Sequence, residues 1–320
     1  MTSHRGLHIA FQMDPLESLN FRTDSTLLIM KEAYKRGHTI FFYTPENLSL
    51  CEGKLLAKGY HINFEGGVLN AAVQKEMFDL FQADVVFIRQ NPPFDMGYLS
   101  ATYLLDLLPQ TTVFVNDPTG IRNSSEKLLA THFPEITPPT LISQDTENIQ
   151  DFIEKHKKIV LKPLYGFSGQ GIFTLKAQDP NLEPLLDTFL THSNEPFVIQ
   201  KFLPEVVEGD ARILLIDGEP VGGIRRVPKK GSFRSNISVG GTPKPYTLSP
   251  RDKEICKKIS PTLKERGLLF VGIDVIGGFL IEINTTSPTG IGPLNKMDGH
   301  KVEAHLWNVI EKKHKSKQKK

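Results

Sequence analysis

The feature that most constrains this chain lies near its C-terminal end. Val271-Gly272-Ile273-Asp274-Val275-Ile276 and Phe279-Leu280-Ile281-Glu282-Ile283-Asn284 are two apolar runs separated by Gly277-Gly278. This pattern predicts a β-hairpin. Two acids and an amide interrupt the apolar strands, and burying such groups is costly unless something pairs with them. Strand side chains alternate faces, so Glu282 and Asn284 point the same way. Asp274 poses a question of register. If Gly277-Gly278 alone makes the turn, Asp274 lies opposite Ile281 and faces away from Glu282. A connection one residue longer, or a bulge, puts Asp274 on the face shared by Leu280 and Glu282, and this longer connection is the expectation. Three hard oxygen donors on one sheet face are what Mg²⁺ bound to a nucleotide needs. The competing reading is two exposed acids on a half-buried sheet.

A chain of 320 residues is too long for one small core and suits two or three subdomains. No apolar run approaches the length of a membrane span. The short apolar run at 7–11 reads as a first strand, not a signal segment. Two cysteines, Cys51 and Cys256, make neither a disulfide framework nor a metal-binding spacing, so the chain reads as cytoplasmic. Its net charge is +2, but Lys312, Lys313, Lys315, Lys317, Lys319 and Lys320 carry six positives at the very end. Without them the body is mildly acidic and carries no nucleic-acid signal. Neither a nucleic-acid nor a membrane partner is expected, and residues 312–320 are predicted to form a basic disordered tail.

The first part alternates strands and helices. Residues 7–11, 38–43, 85–88 and 112–115 read as strands. Asp24 or Ser25 can cap a first helix stopped by Gly37, and helical segments are predicted around 73–81 and 98–108. This is a βαβ pattern, hence a parallel sheet covered by helices. Polar loops follow the strands: Asp14-Pro15, then Arg89-Gln90-Asn91-Pro92-Pro93-Phe94-Asp95, then Asn116-Asp117-Pro118. Ligands gather at such strand ends, so this edge is a candidate substrate wall. Asn123-Ser124-Ser125-Glu126 matches a capping box ahead of Lys127, and the first boundary is placed here. The expected units are an N-terminal domain (1–122), two α+β lobes (about 123–203 and 204–311), and the tail (312–320). No internal repeat is visible.

Lys162 sits in an otherwise apolar strand at 159–163 and either snorkels outward or meets an anion. Gly166-Phe167-Ser168-Gly169-Gln170-Gly171 follows, and glycines let backbone N–H groups approach a phosphate. The turn joins strand to strand, so it is neither a P-loop nor a Rossmann fingerprint. Beside Lys162, Gly166, Ser168 and Gly169 become candidates for a phosphate lid. Gln200-Lys201-Phe202-Leu203 ends a strand between two units, where a flat purine can sit, although an ordinary hinge reads equally well. Arg212, Arg225 and Arg226 can clamp a carboxylate or phosphate in bidentate fashion. The long polar segment 228–241 reads as a functional loop, with Arg234 and Asn236 as donors on closure. The hydroxyls and N–H groups of Thr285-Thr286-Ser287-Pro288-Thr289-Gly290 suit a substrate carboxylate. There is no G-x-S-x-G elbow and no H-E-x-x-H, and the histidines are scattered.

Taken in order, Lys127, Lys162-Pro163, the glycine-rich turn, Asp274 and Glu282-Ile283-Asn284 resemble the ATP-grasp superfamily. More narrowly, the chain resembles the bacterial glutathione synthetase family. The resembling segments run nearly end to end and include Met13-Asp14-Pro15, Asn91-Pro92-Pro93-Phe94-Asp95, Gly218-Glu219-Pro220-Val221 and Glu282-Ile283-Asn284-Thr285-Thr286-Ser287-Pro288-Thr289. The last is the most specific, whereas a lone E-I-N is shared by many ATP-grasp ligases. The resemblance implies an α/β fold, with a preATP-grasp parallel-sheet N-domain followed by a two-lobed α+β ATP-grasp module. It implies ATP-dependent joining of γ-glutamylcysteine and glycine, with Mg²⁺ (or Mn²⁺ in its place), and a homo-oligomer. The alternative is a carboxylate–amine ligase for a different amino acid or peptide pair.

Carried over, Lys127 and Lys162 contact ATP phosphates and adenine meets 200–203, with Glu208 as a further nucleotide contact. Asp274, Glu282 and Asn284 hold the metal. Arg212, Arg226 and Arg234 face the reacting groups. Asp14, Asn236, Ser287, Pro288 and Thr289 bind substrate. The chain departs from the family pattern at Gln90-Asn91, at Tyr165 and at 290–295. These positions lie at or near substrate walls and bear on substrate identity.

Overall fold

The computed structural model describes residues 6–20, 24–166, 171–192, 195–232 and 234–319. Three sheets follow one another along the chain. The first contains β1 (His8–Gln12), β2 (Thr39–Tyr43), β3 (Leu48–Cys51), β4 (Lys54–Glu65), β5 (Val68–Ala71), β6 (Glu76–Asp79), β7 (Val85–Ile88) and β8 (Val113–Val115). Its order is β3-β4-β2-β1-β7-β8, with β5 and β6 also pairing β4. Strands β2, β1, β7 and β8 run parallel. They are apolar on both faces, as parallel strands between helices must be. Helices α1 (Ser25–Lys35) and α2 (Met96–Leu105) flank this sheet. Asp24 caps α1 by accepting from the N–H groups of Thr26 and Leu27.

The helix expected at 73–81 is not formed. Those residues supply β6 and a short 3₁₀ turn (Leu80–Gln82). The twelve-residue β4 presents long rows of backbone donors and acceptors, and β3, β5 and β6 pair with them. Tertiary pairing thus overrides a local helical pattern.

Two short helices, α3 (Pro118–Arg122) and α4 (Glu126–Ala130), lead into the second sheet. The expected capping box is absent. Asn123 ends α3, Ser125 precedes α4 without a side-chain bond, and Glu126 is used elsewhere. The second sheet is antiparallel, with β9 (Thr140–Ser143), β10 (Lys158–Pro163), β11 (Phe173–Lys176) and β12 (Phe197–Lys201) in the order β11-β10-β12-β9. Helices α5 (Thr146–His156) and α6 (Leu182–His192) cover one face through Ile149, Ile153, Leu182 and Leu186.

The third sheet contains β13 (Asp210–Ile216), β14 (Glu219–Val227), β15 (Thr242–Tyr246), β16 (Phe270–Ile276) and β17 (Phe279–Asn284), ordered β15-β14-β13-β16-β17. On one face Ile213, Leu215 and Ile273 pack with Ile255, Ile259 and Leu263 of α7 (Pro250–Glu265). The chain then forms α8 (Ile291–Asp298) and α9 (Val302–Lys317). The tail expected to be disordered from 312 is helical to Lys317. Leu306, Trp307 and Ile310 of α9 are buried, and Trp307 Nε1 donates to Ile29 O at 2.8 Å. This docking brings Lys313 to 2.9 Å from Asp217, and Lys317 Nζ donates to Thr112 O at 2.8 Å. Among the described residues no helix is long and apolar enough to cross a membrane.

Candidate active site

Period two generates the site. On the third sheet Ala211, Ile213, Ile273, Val275 and Ile283 turn to the core. Their neighbours Asp210, Arg212, Asp274, Glu282 and Asn284 therefore turn to the other face, where they line a cavity of about 380 Å³. Strand register sets Ile224, Arg212, Asp274 and Glu282 in one row across four strands. Arg226 and Asp210 occupy the adjacent row on one side, Gly272 and Asn284 the adjacent row on the other.

The register question raised by the sequence is answered by a bulge. Gly277 and Gly278, at φ 56° and 78°, close a two-residue turn that pairs Ile276 with Phe279. The pairing then slips, so that Val275 faces Leu280 but Asp274 faces Glu282. Ile281 is the extra residue. Two details differ from expectation: the turn itself is the two-residue one, with the extra residue inside β17 rather than in a longer connection, and Leu280 turns to the core, while Ile281 and Glu282 line the cavity.

Asp274 is the hub of a buried ion network. Arg212 donates to it through Nε (2.6 Å) and Nη2 (3.0 Å), and Nη2 also donates to Asn284 Oδ1 at 3.2 Å. Arg226 Nη2 lies 2.9 Å from Asp274 and also bonds Asp210, while its Nε donates to Asp210 at 2.8 Å. Burial alone would raise the Asp274 carboxyl, but the Arg212 and Arg226 guanidiniums overcome it and hold it well below the usual carboxylate range. A Cβ on Gly272 would lie 3.1 Å from Arg212 Cδ and 3.3 Å from Pro288 Cβ. Glycine there lets the arginine stem lie against β16.

The second sheet contributes fewer groups. Val160, Lys162 and Gln200 face the cavity, while Leu161 and Ile199 enter the core beneath. Lys162 Nζ donates to Gln200 Oε1 at 2.6 Å. Burial pushes the Lys162 ammonium down to about 8, with Glu282 opposing the shift. Lys127 Nζ donates to Leu164 O at 3.2 Å and to Gly166 O, and lies 3.9 Å from Glu282. Among the described residues, six basic side chains line the cavity (Lys127, Lys162, Lys201, Arg212, Arg226, Arg234) against four acidic ones (Glu126, Asp210, Asp274, Glu282). The surplus suits a polyanion.

The loop after β17 is held from outside at nearly every step. Glu126 Oε1 accepts from the N–H groups of Thr285 and Thr286 and from the Thr286 hydroxyl, at 2.9 to 3.2 Å. Burial and the neighbouring Glu282 raise the Glu126 carboxyl. Asn116 Nδ2 donates to Thr285 O at 2.7 Å. Ser287 Oγ donates to Asn91 Oδ1, and Arg89 Nη2 donates to Pro288 O at 3.0 Å. Arg212 Nη1 reaches Thr289 O at 3.3 Å, and Ser25 Oγ accepts from Gly290 and Ile291. The backbone donors of Thr285, Thr286 and Gly290, expected to meet a substrate carboxylate, are therefore already engaged.

Of the residues picked out by sequence, Lys127, Lys162, Gly166, Gln200, Lys201, Phe202, Leu203, Arg212, Arg226, Arg234, Asn236, Asp274, Glu282, Asn284, Ser287 and Thr289 line the one cavity. Glu208 is exposed in the 3₁₀ turn before β13 and is not part of this lining, and neither are Asp14 and Pro288. Ser168 and Gly169 lie outside the described residues. Asp210 was missed, although it stands two residues before Arg212 and so on the same face. Glu126 and Asn116 were not recognised as clamps on the loop after β17. Their partners are 159 to 169 residues away, and no local pattern signals such contacts.

The comparisons with known proteins agree with this geometry. The family model "Prokaryotic glutathione synthetase, N-terminal domain" matches residues 7–122, and "Prokaryotic glutathione synthetase, ATP-grasp domain" matches residues 126–299. A glutathione synthetase of Agrobacterium fabrum is 45% identical over 316 residues, covering 96% of this chain and 97% of its own. One from Synechocystis sp. is 39% identical over 318 residues, covering 96% and 99%. Among solved structures, D-cycloserine synthetase DcsG aligns with a TM-score of 0.67 at 13% identity, covering 96% of this chain and 99% of its own. Macrocyclase MdnC from Microcystis aeruginosa aligns at 0.64 and 16%, covering 95% and 99%. These two likenesses speak to the fold alone. With both family models and full-length relatives in agreement, the chain belongs to the prokaryotic glutathione synthetase family.

Proposed function

We propose that this protein joins γ-glutamylcysteine to glycine, converting ATP to ADP and phosphate through an acyl phosphate. The observation that supports this reading best is the facing of Asp274, Glu282 and Asn284 on one sheet toward Lys127 and Lys162 across a single cavity. Family membership carries the choice of substrates.

The donor set fits Mg²⁺. Two carboxylates and an amide oxygen are hard ligands. Asp274, Glu282 and Asn284 would hold the ion, and Mn²⁺ would suit the same donors. When bound, the ion neutralises charge on the terminal phosphates.

Lys127, Lys162 and the backbone at Gly166 bind the phosphates. Adenine lies at the crossing from Gln200 to Leu203. Phe202 offers it at most one face, because Lys158 Nζ stands 3.5 Å over the other. The substrate carboxylate attacks the γ-phosphoryl group in line, ADP leaves, and the glycine amine then attacks the acyl carbon, releasing phosphate. Arg226, whose Nε and Nη2 are committed to Asp210 and Asp274, keeps Nη1 for the developing oxyanion. Arg212 positions Asp274. Arg234 and Asn236, on the loop between β14 and β15, close over the acyl phosphate and exclude water. No side-chain nucleophile is required. The cysteines, Cys51 exposed and Cys256 buried, are both free thiols, which suits the reducing cytoplasm.

The test is phosphate release from ATP and Mg²⁺ with γ-glutamylcysteine and glycine supplied separately and together. Release that needs both, with glutathione formed, is the expected result. Release only with another acid and amine would keep the mechanism and move the substrate.

A further inference from the structure

Three loop residues from distant parts of the chain meet at the N-domain side of the cavity. Asn91 Nδ2 donates to Asp14 Oδ2 at 2.5 Å, and the Asn91 backbone N–H also points at both Asp14 oxygens at 3.3 Å. Ser287 Oγ stands 2.5 Å from Asn91 Oδ1. Asn91 and Ser287 line the cavity, and Asp14 stands directly behind Asn91.

The polarity of this chain of bonds is forced. A backbone N–H can only donate, so Asp14 serves Asn91 as an acceptor, as an ionised carboxylate must. The Asn91 amide then turns its NH₂ toward Asp14 and its oxygen toward Ser287. The Ser287 hydroxyl proton is spent on that oxygen, so this hydroxyl offers only lone pairs to the cavity. Of the loop's backbone donors, Glu126 and Ser25 occupy those of Thr285, Thr286 and Gly290. Arg89, a cation near Asp14, is fixed on Thr26 and Pro288. Asp24 adds a second negative charge in the neighbourhood of Asp14.

We infer that Asp14, Asn91 and Ser287 form the subsite for an ammonium group, and that it holds the α-ammonium of the γ-glutamyl unit. A corner of acceptors backed by a carboxylate stabilises a charged amine. The reacting glycine amine must be neutral to attack, so the group matched here is the ammonium that takes no part in the chemistry. Ser287 makes the contact, Asn91 is a positioning residue that fixes the hydroxyl, and Asp14 supplies the charge. The inference rests on the ligase reading above.

The test compares kcat/KM for γ-glutamylcysteine and for glutarylcysteine, the same acid with hydrogen in place of the α-ammonium. The wild-type protein should prefer the former by about 10- to 150-fold, the range of a hydrogen bond to a charged group. The preference should fall toward unity in Asp14→Asn and in Ser287→Ala, with ATP affinity unchanged. A purely structural defect would lower both acids alike and leave the ratio intact. Should Asp14→Asn fail to fold, Ser287→Ala, which only trims a hydroxyl, carries the test. A wild-type ratio near one, or a large ratio that neither variant moves, overturns the assignment. If γ-glutamylcysteine is inert and another acid works, the ligase reading has lost its substrate. The ammonium assignment is then judged by the same ratio on that acid and its desamino form, and an active acid with no amino group overturns it.

Discussion

The two sheets that enclose the cavity treat their charges in opposite ways. On the β13–β17 sheet, Asp274, Asp210, Arg212, Arg226 and Asn284 are bonded to one another. On the β9–β12 sheet, Lys162 has one neutral partner, Gln200, and burial weakens its hold on its proton. One wall is preorganised and internally neutralised. The other carries a cation whose natural counter-charge is the ligand. The lesson is that charge placement follows chemistry: the wall proposed to hold the metal and the reacting groups is internally bonded, and the wall proposed to grip phosphate is left incomplete.

This contrast can be broken in several ways. The largest effect is expected at Glu282, whose carboxylate lies apart from the arginine pair. Glu282→Ala should lower turnover by about 100- to 1000-fold, as loss of a charge-stabilising group does, while the thermal midpoint stays near that of the wild type. Normal turnover in that variant would end the metal assignment. Asp274→Asn should behave differently. It strips Arg212 of its carboxylate partner, and a buried charge left unpaired costs about 3–5 kcal/mol. Denaturant unfolding should show this loss of stability alongside lost activity, and unchanged stability would mean the network is not the support described here.

Lys162→Met probes the opposite wall. ATP affinity should fall by about 10- to 100-fold, the worth of a charge-assisted hydrogen bond, with stability unchanged or raised because a buried cation has been removed. A sharp loss of stability would place Lys162 in the structural class with Asp274. The smallest effect is in protons. Free Lys162 titrates near 8, and bound phosphate favours its charged form. ATP binding near pH 8 should therefore take up roughly half a proton, seen as a dependence of binding enthalpy on the buffer's ionisation enthalpy and absent in Lys162→Met. The stability sign follows from the same shift. With the folded pKa below the unfolded value, the cost of burying this ammonium is full below about 8. It is relieved as pH rises toward the ordinary lysine range.

Much of the third sheet was readable along the chain. Alternation alone put Glu282 and Asn284 on one face, and the demand that Asp274 join them called for a bulge or a longer turn. The structure uses the bulge, at Ile281. The apolar strands β1, β2, β7 and β8 were equally plain. The region from 54 to 79 was not, because β4 and its partners are defined by pairing with one another rather than by local propensity. The lysine-rich end misled for a similar reason. Its composition is that of a solvated tail, yet burial of Leu306, Trp307 and Ile310 carries the helix on to Lys317.

The sequence by itself determined which side chains share a face, because strand periodicity is a local property of two-residue steps. It also determined which hard oxygen donors and which cations that face and its neighbour can offer, which is a property of residue type. Only the tertiary structure decided how those groups are neutralised and oriented. Asp274 finds Arg212 across 62 residues, Glu126 finds Thr285 across 159 and Asn91 finds Ser287 across 196. Charges and hydrogen bonds act over a few ångströms of space regardless of separation along the chain, so their partners are fixed only when the three sheets come together.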